Sequence, residues 1–285
     1  MLTLVESLSL AGDRGKQNDD ACGARTPFAW VIDGATDLHS APESAFASDA
    51  AWLATLLNKR LYDGLHHPSG LLEEDFRRVL AFSSRSIEKD WSYKRQDQVP
   101  RWKSPTASVL IAADAGGEGL HGLDLGDCRC FALGADGAAH AIGGPKDAAA
   151  DEQRAAALAG RGADPAALLR DAGTLELLRA KRALHNTPDG YWVFGLQPEC
   201  ADHARYWRLN LARPAHILLM TDGFSALVDR YHVYDAAGLV RAALASGLQE
   251  LGRELRAIEA ADAAGAKHPR FKPSDDATAI LLRLT

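Results

Sequence analysis

Phe28-Ala29-Trp30-Val31-Ile32-Asp33-Gly34 is the stretch whose reading decides the fold. Five apolar residues in succession, aromatic and β-branched among them, describe a strand buried on both faces. A carboxylate and a glycine stand where that strand runs out. The same ending recurs at Ile217-Leu218-Leu219-Met220-Thr221-Asp222-Gly223. A third acidic element, Asp275-Asp276, precedes the apolar run Ala279-Ile280-Leu281-Leu282. An Asp-Gly pair at a strand end is most often a turn, and Asp136-Gly137 and Asp189-Gly190 are read that way. Asp33 and Asp222 differ because each follows a buried strand, which sets a carboxylate on rigid backbone at the rim of a core. Three converging carboxylates repel by about 4 kcal/mol per pair at close range. A divalent cation removes that repulsion, and an oxygen-only ligand set suits Mg²⁺ or Mn²⁺. The strand ends therefore point to a multi-metal phosphoryl-transfer site.

Outward from that strand, residues 2–10 and 20–26 read as strands around a polar turn, Gly12 to Asp20. Ser40-Ala41-Pro42-Glu43 has the composition of a helix start, and Phe46, Ala50, Leu53, Leu57 and Leu61 continue it as one apolar face. Leu72, Phe76, Val79, Leu80, Ile87 and Trp91 form a second helical stripe, its start marked by Pro68-Ser69-Gly70. Four strands are expected at 106–113, 119–125, 128–133 and 138–142, and their short links imply an antiparallel meander. Residues 147–184 read as two helices parted near Gly160–Asp164, and 191–194 as a short strand or turn. Residues 215–221 form a strand, 235–262 a helix broken near Gly247, and 277–284 the last strand. Such an order suits antiparallel sheets packed on each other with helices outside.

Bulk properties narrow the function. The chain has 285 residues, and an apolar content of 47% supports a sizeable core. A net charge of -6, with both signs dispersed, gives no reason to expect a nucleic-acid partner. No apolar run approaches a membrane span, and the N-terminus lacks the pattern of a signal peptide. Cys22, Cys128, Cys130 and Cys200 do not form a disulfide framework. They are expected to be reduced, half-buried thiols of a cytoplasmic protein. No Cys-x5-Arg loop supports a cysteinyl-phosphate route, and no glycine-rich loop ending in Lys-Ser or Lys-Thr supports nucleotide hydrolysis.

Read in order, the motifs are Gly12-Asp13-Arg14-Gly15-Lys16-Gln17-Asn18-Asp19-Asp20-Ala21, Val31-Ile32-Asp33-Gly34-Ala35-Thr36, Pro105-Thr106-Ala107-Ser108, Leu125-Gly126-Asp127-Cys128-Arg129, Leu218-Leu219-Met220-Thr221-Asp222-Gly223-Phe224 and Asp275-Asp276-Ala277-Thr278. This ordered set, spanning nearly the whole chain, resembles the metal-dependent (type 2C) serine/threonine protein phosphatases, in their bacterial form. The resemblance implies an α+β fold, a four-layer αββα sandwich of two antiparallel sheets flanked by helices. It implies one catalytic domain over 1–285 with a variable helical flap at about 143–190. It further implies hydrolysis of phosphoserine and phosphothreonine by a metal-activated water at a dinuclear Mg²⁺/Mn²⁺ centre. In that scheme Asp33 bridges both metals and Gly34 offers its carbonyl to one of them. Asp222 and Asp275 hold the second, Asp19 and Asp20 order metal-bound waters, and Asp127 holds a looser third ion. The motif favours Asp275 over Asp276 as the ligand. The implied partner is a phosphorylated protein.

Three departures from the family pattern stand out. Ala35 occupies the place of a His that protonates the leaving alcohol in many relatives, leaving His39 as the nearest imidazole. The usual phosphate-binding Arg is displaced, so that Arg14 and Lys16 straddle its position and become the phosphate-binding candidates. Asp19 stands where Glu is commoner. Alternative readings are a non-catalytic relative that binds a phosphorylated partner, or a phosphatase of small molecules. Arg182 and Asn186, ahead of Tyr191-Trp192, are further residues that could reach a substrate from the flap.

Overall fold

The computed structural model describes residues 1–66, 72–93, 99–144, 153–154, 156–157 and 165–285. Ten strands pair exclusively antiparallel among these residues. They are β1 (Leu2–Leu10), β2 (Ala21–Arg25), β3 (Phe28–Gly34), β4 (Ala107–Asp114), β5 (Leu120–Leu125), β6 (Arg129–Leu133), β7 (Ala139–Ile142), β8 (Arg205–Leu209), β9 (Ala215–Met220) and β10 (Ala277–Leu284). One sheet runs β1-β10-β9-β6-β7 and the other β2-β3-β4-β5-β8. Seven helices are described: α1 (Asp49–Gly64), α2 (Leu72–Tyr93), α3 (Pro165–Leu168), α4 (Ala172–Ala183), α5 (Asp222–Asp229), α6 (Ala236–Ser246) and α7 (Leu248–Ala261).

The alternation of side chains along each central strand builds the layers. On β3, Phe28, Trp30 and Ile32 face α1 and α2, packing with Leu53, Leu57, Leu61, Phe76 and Leu80. Ala29 and Val31 point the other way, into a layer between the sheets with Leu110, Ile217, Leu219, Ile280 and Leu282. Leu218, Met220, Ala279 and Leu281 face α5, α6 and α7. Three apolar layers thus separate four layers of secondary structure, which is the expected αββα sandwich. Each large side chain taken fully out of water contributes about 1.5–3 kcal/mol. Trp30, wholly buried, also donates its indole N–H to Asn58 Oδ1 at 2.7 Å, so its polar handle is satisfied.

The structure corrects three expectations. Strands 106–142 do not form one meander: β4 pairs β5 in one sheet and β6 pairs β7 in the other. The link Gly126–Cys128 is a crossing between sheets, because β5 is taken up by β8 and β6 by β9. The first helix begins at Asp49, with Ser48 as its cap, and not at Ser40. The Asp49 carboxylate accepts N–H bonds from Glu43 (2.9 Å) and Ser44 (2.7 Å), and this folds the preceding segment into a loop. Strand β8 at the sheet edge was not anticipated. The expected start at Pro68-Ser69-Gly70 and much of 147–164 lie outside the described residues. None of the helices described is long and apolar enough to cross a membrane.

Candidate metal centre

The acidic residues singled out by sequence come together at one rim of the sandwich, and each sheet supplies a share. Asp33 ends β3, and Asp20 directly precedes β2 in the same sheet. Asp222 opens α5 directly behind β9, and Asp275 lies just ahead of β10, both on the other sheet. Asp127 sits in the crossing between the sheets. The convergence is electrostatic as well as spatial. Burial and the neighbouring charges of Asp222, Asp20, Asp127 and Asp275 hold the Asp33 carboxyl well above the ordinary carboxylate range. Burial and Asp276 do the same to Asp20, partly offset by a hydrogen bond from Thr221. Burial lifts Asp19 from an ordinary 3.8 to about 6, against the pull of a hydrogen bond from Ser48. Carboxyls that raise one another in this way make a setting that favours a divalent cation.

The two glycines of the Asp-Gly pairs explain themselves by close approach. A Cβ on Gly34 would lie 2.4 Å from the Asp19 carbonyl oxygen, and one on Gly223 would lie 1.9 Å from that of Asp276. Any side chain there would drive the acidic segments apart, so glycine serves convergence and not a turn.

Protein groups aim the carboxylates. The Asp222 N–H points at Asp33 Oδ2 at 3.3 Å. The Thr221 hydroxyl donates to Asp20 Oδ2 at 2.8 Å, and accepts from the Thr278 N–H at 3.0 Å. Ser108, paired with Asp33 across β3 and β4, donates to Asp127 Oδ1 at 2.5 Å. Asp276 is spent on the backbone: its two oxygens accept the N–H groups of Gly12 and Asp19, each at 2.7 Å. That leaves Asp275 as the acid of the pair directed at the centre. Burial pushes its carboxyl up, but the Lys272 ammonium, 2.5 Å from Oδ1, outweighs it and holds the group below the ordinary range.

Other candidates fall elsewhere. Arg14 and Lys16 are exposed on the β1–β2 turn. Arg14 borders a cavity of about 410 Å³ shared with Ser9, Arg256, Glu259 and Ser274. The cations that act on the acidic cluster are Lys272 and Arg230. Arg182 is half-buried against the loop after β3, donates to the Thr36 carbonyl at 2.6 Å, and its pKa falls to about 10 through desolvation. Asn186 is committed to its own loop, accepting the Val193 N–H at 2.9 Å and donating to Gln197 at 3.1 Å. His39 Nδ1 meets the Ala41 carbonyl at 2.8 Å, and Nε2 lies 3.4 Å from Asp49 Oδ2. Asp37, His39 and Asp49 are the one group among the described residues with three such ligand atoms within 4.8 Å of one another. Sequence reasoning had not grouped them. It also missed Lys272, although the Lys272–Asp275 spacing of three residues was there to be read, and it missed the hydroxyls of Ser48, Ser108 and Thr221.

The thiols stay protonated. Burial and the nearby Asp33 charge raise Cys128, and burial pushes Cys200 up to about 12. All four cysteines are free.

Comparison with known proteins gives a consistent result. The family model for protein phosphatase 2C matches residues 11–256. A search of curated protein sequences returns no match. Among solved structures, the chain is similar to the serine/threonine phosphatase PstP/Ppp of Mycobacterium tuberculosis, at TM-score 0.58 and 16% identity over 99% of this chain and 98% of that one. It is similar to PppA of Pseudomonas aeruginosa, described as a key regulatory component of T6SS, at TM-score 0.55 and 18% identity over 99% and 97%. It is also similar to the catalytic domain of the phosphatase PstP in complex with 2 manganese ions, at TM-score 0.56 and 17% identity over 99% of both chains. At these identities the structural likeness establishes the fold.

Proposed function

The chain belongs to the protein phosphatase 2C family, and on that premise we propose that it hydrolyses phosphoserine and phosphothreonine in proteins at a centre for two Mn²⁺ or Mg²⁺ ions. The observation that carries the proposal is the convergence of Asp20, Asp33, Asp127, Asp222 and Asp275 on one rim, with Asp33 and Asp20 raised by the others. The donor set fits hard cations: it is all oxygen, and burial beside other carboxylates holds Asp33 and Asp20 well above the ordinary range. Asp33, Asp222 and Asp275, with the Gly34 carbonyl, are the proposed ligands. Asp19 and Asp20 would order water around them, and Asp127 would hold a third ion. The metal-bound neighbour supports the choice of ion. Such ions, when bound, activate water and neutralise phosphate oxygens.

The chain's own residues supply positioning. Thr221, Ser108 and the Asp222 N–H fix the orientation of Asp20, Asp127 and Asp33, which is how outer groups tune a metal site. No thiolate is available as nucleophile, because every buried cysteine is held protonated. Ala35 has no proton to give and His39 is engaged in its own loop. We therefore assign the leaving alcohol's proton to water. Arg14, with Lys16 as second choice, is proposed to grip the phosphate from the turn that Asp276 pins to the site. We take 1–285 as one catalytic domain, with 143–190 as its flap.

Phosphopeptide and p-nitrophenyl phosphate hydrolysis, measured in EDTA and after adding Mn²⁺ or Mg²⁺, tests the proposal. Turnover that EDTA abolishes and Mn²⁺ restores is expected; undiminished turnover after exhaustive metal removal rejects it. Ala35 and the outward Arg14 favour one other reading, a non-catalytic binder of phosphorylated partners. Under that reading phosphopeptide would bind without turnover at any metal concentration.

A further inference from the structure

Lys272 is the cation that the acidic rim already contains. It lies on the segment Phe271-Lys272-Pro273-Ser274 that leads into Asp275, and it is flanked by a buried aromatic and a proline. Its Nζ is 2.5 Å from Asp275 Oδ1. Its charge is felt by Asp275, Asp222, Asp33 and Asp19, which come from four different segments. The other Asp275 contacts are to backbone: Oδ1 accepts the Asp276 N–H at 2.9 Å, and the Asp275 carbonyl accepts Arg256 Nη2 at 2.8 Å. The side chain as a whole is half-buried, 29% exposed.

We infer that Lys272 is a tethered counter-ion that competes with metal for Asp275 and so sets the cation affinity of the centre. The inference rests on the proposed metal-dependent function, and adds to it a residue outside the acidic motifs. The ammonium sits on Oδ1 and leaves Oδ2 to a metal, but the like charges of ammonium and divalent ion repel at that range. Metal entry at Asp275 is therefore opposed by the Lys272 charge for as long as the ion pair stays closed. A lysine suits this role better than an arginine, because its point charge on a flexible stem releases without breaking a bidentate fork.

Titration calorimetry of MnCl₂ into metal-free protein tests the inference directly. Lys272→Met should bind Mn²⁺ about fivefold or more tightly than wild type, and Lys272→Arg should bind no more tightly than wild type. The metal-free melting temperature of Lys272→Met should fall, because the carboxylates lose the neutraliser paired directly with Asp275, while its Mn²⁺-induced rise should exceed that of wild type. Lys272→Gln serves as the second uncharged variant where Lys272→Met is too unstable to purify without metal. Wild-type binding with uncharged variants that bind no better overturns the competition. A raised KM with unchanged Mn²⁺ affinity also overturns it and makes Lys272 a phosphate contact. Absence of Mn²⁺ binding in wild type and variants alike rejects the metal-dependent function itself, and the inference with it.

Discussion

Two acidic clusters lie within a few residues of each other along this chain, and they are built in opposite ways. Asp37, His39 and Asp49 are the tighter group. Yet Asp49 accepts two backbone N–H bonds, and Asp37 accepts the Asp49 N–H at 2.8 Å. Their oxygens are occupied in holding a loop closed. At the rim, Asp20 accepts a bond from the Thr221 hydroxyl and Asp33 one from the Asp222 N–H, and burial together with the neighbouring carboxylates holds both well above the ordinary range. The density of carboxylates does not identify a metal centre. What separates the two clusters is how the acids are held: the loop acids by backbone N–H groups, the rim acids buried beside one another.

The largest expected effect that could break this contrast is on turnover. Asp33→Asn and Asp222→Asn should each lower kcat by about a thousandfold, a loss typical of removing a preorganised charge-stabilising group, and should leave the fold intact. Wild-type turnover together with a wild-type Mn²⁺-induced melting shift would show these two aspartates to be ordinary rim residues. Asp49→Ala should do the reverse. It removes the wholly buried acceptor of two backbone donors on an exposed to half-buried loop and should cost about 1–2 kcal/mol of unfolding free energy. Urea melts of metal-free protein check this, and a change below about 0.5 kcal/mol would place Asp49 with the metal-binding acids instead.

The next effect separates the clusters by pH. Asp19 titrates at about 6 when folded and near 3.8 when unfolded, and Asp33 and Asp20 are also raised. A folded state that holds the extra protons is favoured at low pH, so metal-free stability should decline as pH rises from about 4 to about 6. Asp275, lowered by Lys272, contributes with the opposite sign, but below its ordinary 3.8 and so outside this window. Saturating Mn²⁺ should remove the decline. Melting temperatures at pH 4.5 and 7 in EDTA decide it, and equal slopes with and without Mn²⁺ would contradict the electrostatic reading.

The smallest effect concerns the exposed cations. Arg14→Ala should raise KM severalfold, with Lys16→Ala costing less and metal affinity held in both. A change of under about twofold in kcat/KM for both variants would transfer phosphate binding away from the β1–β2 turn.

Much of this was legible in the residues. The strands that carry the centre announce themselves because Phe28–Ile32, Ile217–Met220 and Ala279–Leu282 are buried on both faces, and each ends or begins beside an acid. Strand β8 was not legible as such: Arg205-Tyr206-Trp207-Arg208-Leu209 lies at a sheet edge, where two exposed arginines mask the alternation. The path through Gly126-Asp127 was misread because a short link serves a hairpin and a crossing equally well. The partner strands β8 and β9 decide between them, and both lie far downstream. The roles of Asp276 and Lys272 depend on atoms brought together only by folding. Two neighbouring aspartates read alike in sequence, yet one ties down Gly12 and Asp19 while the other faces the centre.

The layer between the sheets has a consequence at the rim. Asp20 and Asp33 ride on one sheet, and Asp222 and Asp275 on the other. The gap that an ion must span is thus the opening of a calliper whose hinge is packed with Ala29, Val31, Leu110, Ala112, Ile217, Leu219 and Ile280. None of these side chains is a candidate ligand. Their summed bulk nonetheless gauges how far the jaws stand apart, so a methyl group added at Ala112 or removed at Ile280 should change that width. Under the proposed metal centre, the choice between a smaller and a larger cation would then depend in part on this apolar filling.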